Sequence, residues 1–63
     1  MKITRNPFGY TVSGYTDNGK LVQYSVEKNG HGWAIEKVYG TGIDLNMLYD
    51  TKAAAVEAIT KQG

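Results

Sequence analysis

The chain has no cysteine, a single proline, a single arginine, a single histidine and a single tryptophan among 63 residues. The missing thiols exclude disulfides and thiolate zinc sites and give no sign of an oxidising compartment, so a cytoplasmic protein is expected. No apolar run approaches the roughly 20 residues of a membrane-spanning helix, and Met1-Lys2-Ile3-Thr4 leads into no signal-peptide core. A soluble, unprocessed chain with no membrane partner is the expectation. Charge of either sign is also in short supply: seven Lys and Arg against six Asp and Glu leave a formal net charge of +1. A dedicated binder of phosphate backbones is usually far more basic.

The length bounds the architecture as well. Residues 1–63 are expected to form one small domain, and at this size about 60% of the unfolded surface is buried on folding, which leaves a marginal core of one layer on another.

What is present is alternation. From Lys20 to Tyr39 two alternating segments meet at Asn29-Gly30 and carry Trp33. Before them, Phe8 to Thr16 places Phe8, Tyr10 and Val12 on one face and Thr11, Ser13 and Tyr15 on the other. Phe8, Tyr10, Tyr24 and Trp33 are expected in the core, with Gly14 leaving room for a large neighbour such as Trp33. Met1 to Ile3 starts in strand-like fashion, but Arg5-Asn6-Pro7 reads as a turn because proline lacks a ladder donor and restrains its predecessor.

Register types the turns. A three-residue loop at Asp17-Asn18-Gly19 sets Tyr10, Val12 and Gly14 opposite Val26, Tyr24 and Val22, whereas a two-residue loop exchanges the faces. A type I turn with Gly19 left-handed in a G1 bulge is therefore expected. At Asn29-Gly30 the same reasoning favours a two-residue type I′ turn that pairs Lys28 with His31 and gives Asn29 a positive φ. A four-residue loop, Asn29 to Gly32, keeps the faces but slides the third strand by two residues.

After Gly40-Thr41-Gly42, Ile43 to Tyr49 alternates weakly. Either the whole stretch pairs as a fourth strand, or Asp44 and Asn46, poor strand formers, confine pairing to Met47 to Tyr49. Asp50 or Thr51 should cap a helix running to about Lys61, with Val56 and Ile59 as its large apolar side chains beside Ala55 and Ala58. The expected fold is α+β: an antiparallel three- or four-stranded meander with one C-terminal helix packed on one face. The other face is expected to hold Thr11, Ser13, Tyr15, Leu21, Gln23, Ser25, Glu27, Ala34, Glu36 and Val38, open to water.

No catalytic, metal or cofactor constellation stands out. His31 falls in a turn without a serine or carboxylate at a telling spacing, and the six carboxylates are scattered over turns, the outer face and a helix cap. Gly30-His31-Gly32 and Gly40-Thr41-Gly42 do not open into a helix that would cradle a phosphate. The chain is also small for the cleft that a small-molecule enzyme needs. An enzyme is not expected, and neither is a cofactor.

Tyr15, Leu21, Gln23 and Tyr39 lie on surfaces that one helix cannot cover, and tyrosine is enriched in protein interfaces. They are the expected partner-binding residues of a module that engages a protein. Nucleic acid contacted by Arg5, Lys20, Lys28 and Lys37 is the first alternative. Self-association as a homodimer, through the Ala-rich helix or an open strand edge, is the second.

Trp33-Ala34-Ile35, the strand end Leu48-Tyr49 and the helix start Asp50-Thr51-Lys52-Ala53-Ala54-Ala55, within about Gly32 to Thr60, resemble the strand and helix order of AP2-type and integrase arm-type DNA-binding domains. That resemblance implies a three-stranded sheet backed by one helix and DNA read from the sheet. In general character the chain is also similar to small proteins of phages and mobile elements, many of which inhibit or modulate a host protein by occupying it.

Overall fold

The computed structural model describes residues 1–40, 43 and 47–61. Five strands, β1 (Lys2–Asn6), β2 (Gly9–Tyr15), β3 (Leu21–Asn29), β4 (Gly32–Tyr39) and β5 (Leu48–Tyr49), form one antiparallel sheet in sequence order. They are followed by a single helix, α1 (Lys52–Thr60). The α+β class and the meander are as the sequence implied. The sheet exceeds the expected three or four strands because Arg5 and Asn6 do not interrupt the first one. β1 pairs with β2 through Asn6↔Gly9, and Pro7-Phe8 make a two-residue turn in which the Phe8 N–H donates to Asn6 Oδ1 (2.9 Å). The only proline thus sits beyond the ladder, where its missing donor costs nothing.

The first expected turn is present. Tyr10, Val12 and Gly14 face Val26, Tyr24 and Val22. Gly19 has φ +79°, its N–H donates to Thr16 O (2.9 Å), and the Thr16 N–H donates to Lys20 O (2.8 Å). The second turn differs from the favoured expectation. Lys28 pairs with Trp33, not His31, and Asn29 pairs with Gly32 across the two residues Gly30-His31. Gly30 takes φ +61° and no non-glycine residue described has a positive φ, so Asn29 does not. This is the glycine-first pattern of a type II′ turn, which also matches strand twist. The strand offset is the one that the longer loop implied, with two of its four residues recruited into pairing.

A bulge follows in β4. Tyr24 faces Lys37 and Gln23 faces Tyr39, so Val38 is an extra residue between them. An extra residue reverses the alternation beyond it, and Tyr39 thereby stands across from Gln23 on the outer face.

The core consists of Val12, Val22, Tyr24, Val26 and Ile35 from the sheet with Ala55 and Ile59 from α1, joined at its margin by Trp33, Ile43, Tyr49 and Val56. Of the two expected caps, Asp50 and Thr51, it is Thr51 that caps the helix, its hydroxyl accepting from the Ala54 N–H (3.0 Å). The Asp17 N–H donates to Thr60 O (2.9 Å), tying the first turn to the other end of the helix. Nine helical residues cover β3, β4 and β5 and do not reach the β1 side of the face, which leaves Met1 and Ile3 exposed. Two packing expectations are corrected. Phe8 is 74% exposed because it occupies a turn rather than a strand. The space above Gly14 is filled by Met1, whose Cα and Sδ lie 3.2 and 3.5 Å from where a Cβ would stand, and not by Trp33. Among the described residues of the segment from Ile43 to Tyr49, Leu48–Tyr49 form a strand, pairing with Ala34 and Trp33; residues 44–46 lie outside the described residues.

Candidate binding surfaces

One surface grows from the start of β3. Leu21 and Gln23 are two residues apart and share a face by the period of a strand. Across the ladders, Tyr15 stands opposite Leu21, Ser13 opposite Gln23 on one side, and Tyr39 opposite Gln23 on the other. The four residues singled out from the sequence, Tyr15, Leu21, Gln23 and Tyr39, are therefore neighbours. Tyr15 is 66%, Leu21 53% and Tyr39 61% exposed, with the bulged Val38 at 60% beside them.

Two open grooves border this patch. One, of about 390 Å³, is lined by Ser13, Leu21, Val22, Gln23 and Tyr39. The other, of about 510 Å³, runs past Lys20, Leu21, Val38 and Tyr39 to Lys37 and Gly40. Lys20 and Lys37 thus flank an apolar floor, and no carboxylate is among the lining residues described. Sequence reasoning missed both the bulge and the apposition of the two lysines, since neither leaves a mark in the alternation.

The middle of the outer face is polar, and beyond it the Ala34–Leu48 pair sets a 55% exposed Leu48 on the same face. Asn6 Nδ2 donates to Thr11 Oγ1 (2.9 Å) and to Ser25 Oγ (3.4 Å), and Ser25 Oγ donates to Glu27 Oε2 (3.0 Å). Asn6, Thr11, Ser25 and Glu27 are thereby tied into one chain of hydrogen bonds across three strands.

The second surface lies on the helix side. Pairing of Arg5 with Tyr10 and of Lys28 with Trp33 puts both cations on that face, which Lys37, opposite Tyr24, shares; it is the two clefts that hold them apart, one lined by Arg5 and Lys28 and the other by Lys20 and Lys37. The four cations considered together from the sequence thus separate into two pairs at two sites. The Lys28 Nζ is 5.1 Å from the Trp33 ring centroid and the Lys52 Nζ is 4.0 Å from that of Tyr10, while the two rings are 6.2 Å apart with their planes tilted by 46°. Ammonium groups are attracted to such ring faces, by about 0.5–1 kcal/mol where exposed.

His31 is exposed in the Gly30-His31 turn. No three histidine, aspartate or glutamate residues come together as metal ligands among the described residues. No helix among them is long and apolar enough to cross a membrane. No family model, no curated protein and no solved structure matches the chain.

Proposed function

We propose that the protein is a non-catalytic binding module that engages a protein partner through Tyr15, Leu21, Gln23 and Tyr39, and that it acts by occupying part of that partner's surface. The observation that carries this reading is the Val38 bulge, which brings Tyr39 opposite Gln23 and so completes one continuous amphipathic patch. Tyrosines are enriched at interface centres, where charge is depleted, and polar groups belong at the rim. Lys20 and Lys37 at the groove edge favour a partner that sets carboxylates around an apolar anchor.

The test is affinity capture from nuclease-treated lysate of the native host, with the wild-type chain beside Tyr15→Ala and Tyr39→Ala. Both side chains are mostly exposed, so both variants should fold and unfold like wild type. Each is expected to weaken capture of a defined protein by about 2 kcal/mol or more, as interface anchors do. Capture that is unchanged in both variants would assign the interaction to another surface. Recovery of the chain only with itself would point to self-association.

A further inference from the structure

A cleft of about 400 Å³ on the opposite end of the sheet is lined by Arg5, Asn6, Pro7, Phe8, Gly9, Tyr10, Lys28 and Trp33. Its composition differs from that of the protein-facing patch. Two cations line it and no carboxylate does. Lys52 extends the positive charge from the start of α1, over the Tyr10 ring. A lysine in the first helical turn faces the positive end of the helix dipole, an arrangement that an anion nearby would relieve. Lys28 and Lys52 are held over rings, which leaves two positive charges beside the cleft where an oxyanion would meet them.

The cleft also offers flat apolar surface. Phe8, held in its turn by the Asn6 carboxamide, is the most exposed large apolar side chain described, at 74%. An exposed phenyl ring that lines the same cleft as a half-buried tryptophan and two cations is of little use to the core. It suits a planar ligand that stacks on the ring while its charge meets the ammonium and guanidinium groups.

We propose that this cleft binds a nucleotide unit, with the base stacked on Phe8 and the phosphate held by Arg5 and Lys28, Lys52 contributing at longer range. The same chemistry is presented by a free mononucleotide and by single-stranded nucleic acid. The site is separate from the patch around Tyr39, so either can fail without the other.

Trp33 is the only tryptophan and lines the cleft, which makes its fluorescence a direct reporter. The experiment titrates the full chain at low salt with adenosine monophosphate, and separately with a short oligothymidylate, and repeats both with Phe8→Ala, Arg5→Gln, Lys28→Gln and Lys61→Gln. Phe8, Arg5 and Lys28 are all exposed, so these variants should retain the fold, which circular dichroism checks. Saturable quenching is expected, weakened about tenfold by Phe8→Ala. Arg5→Gln and Lys28→Gln should each weaken it several-fold and make its salt dependence shallower, by about 0.7 in the logarithmic slope per lost contact to a single strand. Lys61→Gln, the same charge change at the far end of the helix, should leave binding as it is. Equal affinity for the two probes identifies a mononucleotide site, and a strong preference for the oligonucleotide identifies a single-strand site. The proposal is overturned if neither probe quenches Trp33 at millimolar concentration, if Phe8→Ala binds like wild type, or if Lys61→Gln costs as much as Lys28→Gln.

Discussion

Tyr24 is fully buried at the middle of the sheet, opposite Val12 on one side and Lys37 on the other, whereas Trp33 is only partly buried at the core's margin. Size alone would make the tryptophan the larger contributor. Burial reverses the order, because an aromatic side chain stabilises in proportion to the apolar area it removes from water. A domain of this length has roughly 3–9 kcal/mol of stability in all. Tyr24→Ala, at about 3–5 kcal/mol, should therefore remove a large share of that stability, while Trp33→Ala should cost only about 2 kcal/mol. Urea titration followed by circular dichroism separates the two. A Trp33→Ala variant less stable than Tyr24→Ala would show that the tryptophan, and not the tyrosine, centres the core.

At the scale of elements, α1 is a short helix with little intrinsic support. No acidic side chain occupies its first turn and no basic one its last, so within the helix the dipole goes uncompensated and only the C-cap Lys61 offers a favourable charge. Nine residues are also too few for a helix to persist in isolation. Its stability comes from burying Ala55 and Ile59 against the sheet and from the Thr51 cap. Thr51→Ala should lower global stability by about 1 kcal/mol and Thr51→Ser by much less, because only the hydroxyl is needed to accept from Ala54. Thermal melts of both variants check this; equal losses would mean that the methyl group's packing matters more than the cap. The strands show the complementary behaviour. The Asp17-Asn18-Gly19 turn was legible because only one loop length matched the apolar faces. At Asn29-Gly30 two offsets differing by two residues satisfy the same faces, and local preference for Asn-Gly chose the wrong one.

For the molecule as a whole, β3 is the central strand, paired on both sides and covered by the helix on one face. β1 is an edge strand beyond the helix's reach, bearing Lys2 and Arg5, charges of the kind that discourage edge-to-edge pairing. Protection should follow that gradient. In native-state hydrogen exchange, the amides of Tyr24 and Val26 are expected to open only with global unfolding, and those of β1 at a much lower free energy. Uniform protection across the two strands would show that β1 is part of the same cooperative unit.

The sequence by itself determined the α+β class, the helix, a cap at one of two adjacent residues, the first turn and the identity of most core residues. Each of these depends on local chemistry or on a period that one face must satisfy. It also picked out Tyr15, Leu21, Gln23 and Tyr39 as residues left over once the core had been filled. Only the tertiary structure decided that these four adjoin, because the Val38 bulge that turns Tyr39 outward is an irregularity no periodicity encodes. Likewise, the division of Arg5 and Lys28 from Lys20 and Lys37 depends on strand offsets across two hairpins, and the exposure of Phe8 on where a ladder stops. Alternation fixes which face a side chain occupies; the offset between strands, set by turns and bulges, fixes which neighbours it meets there.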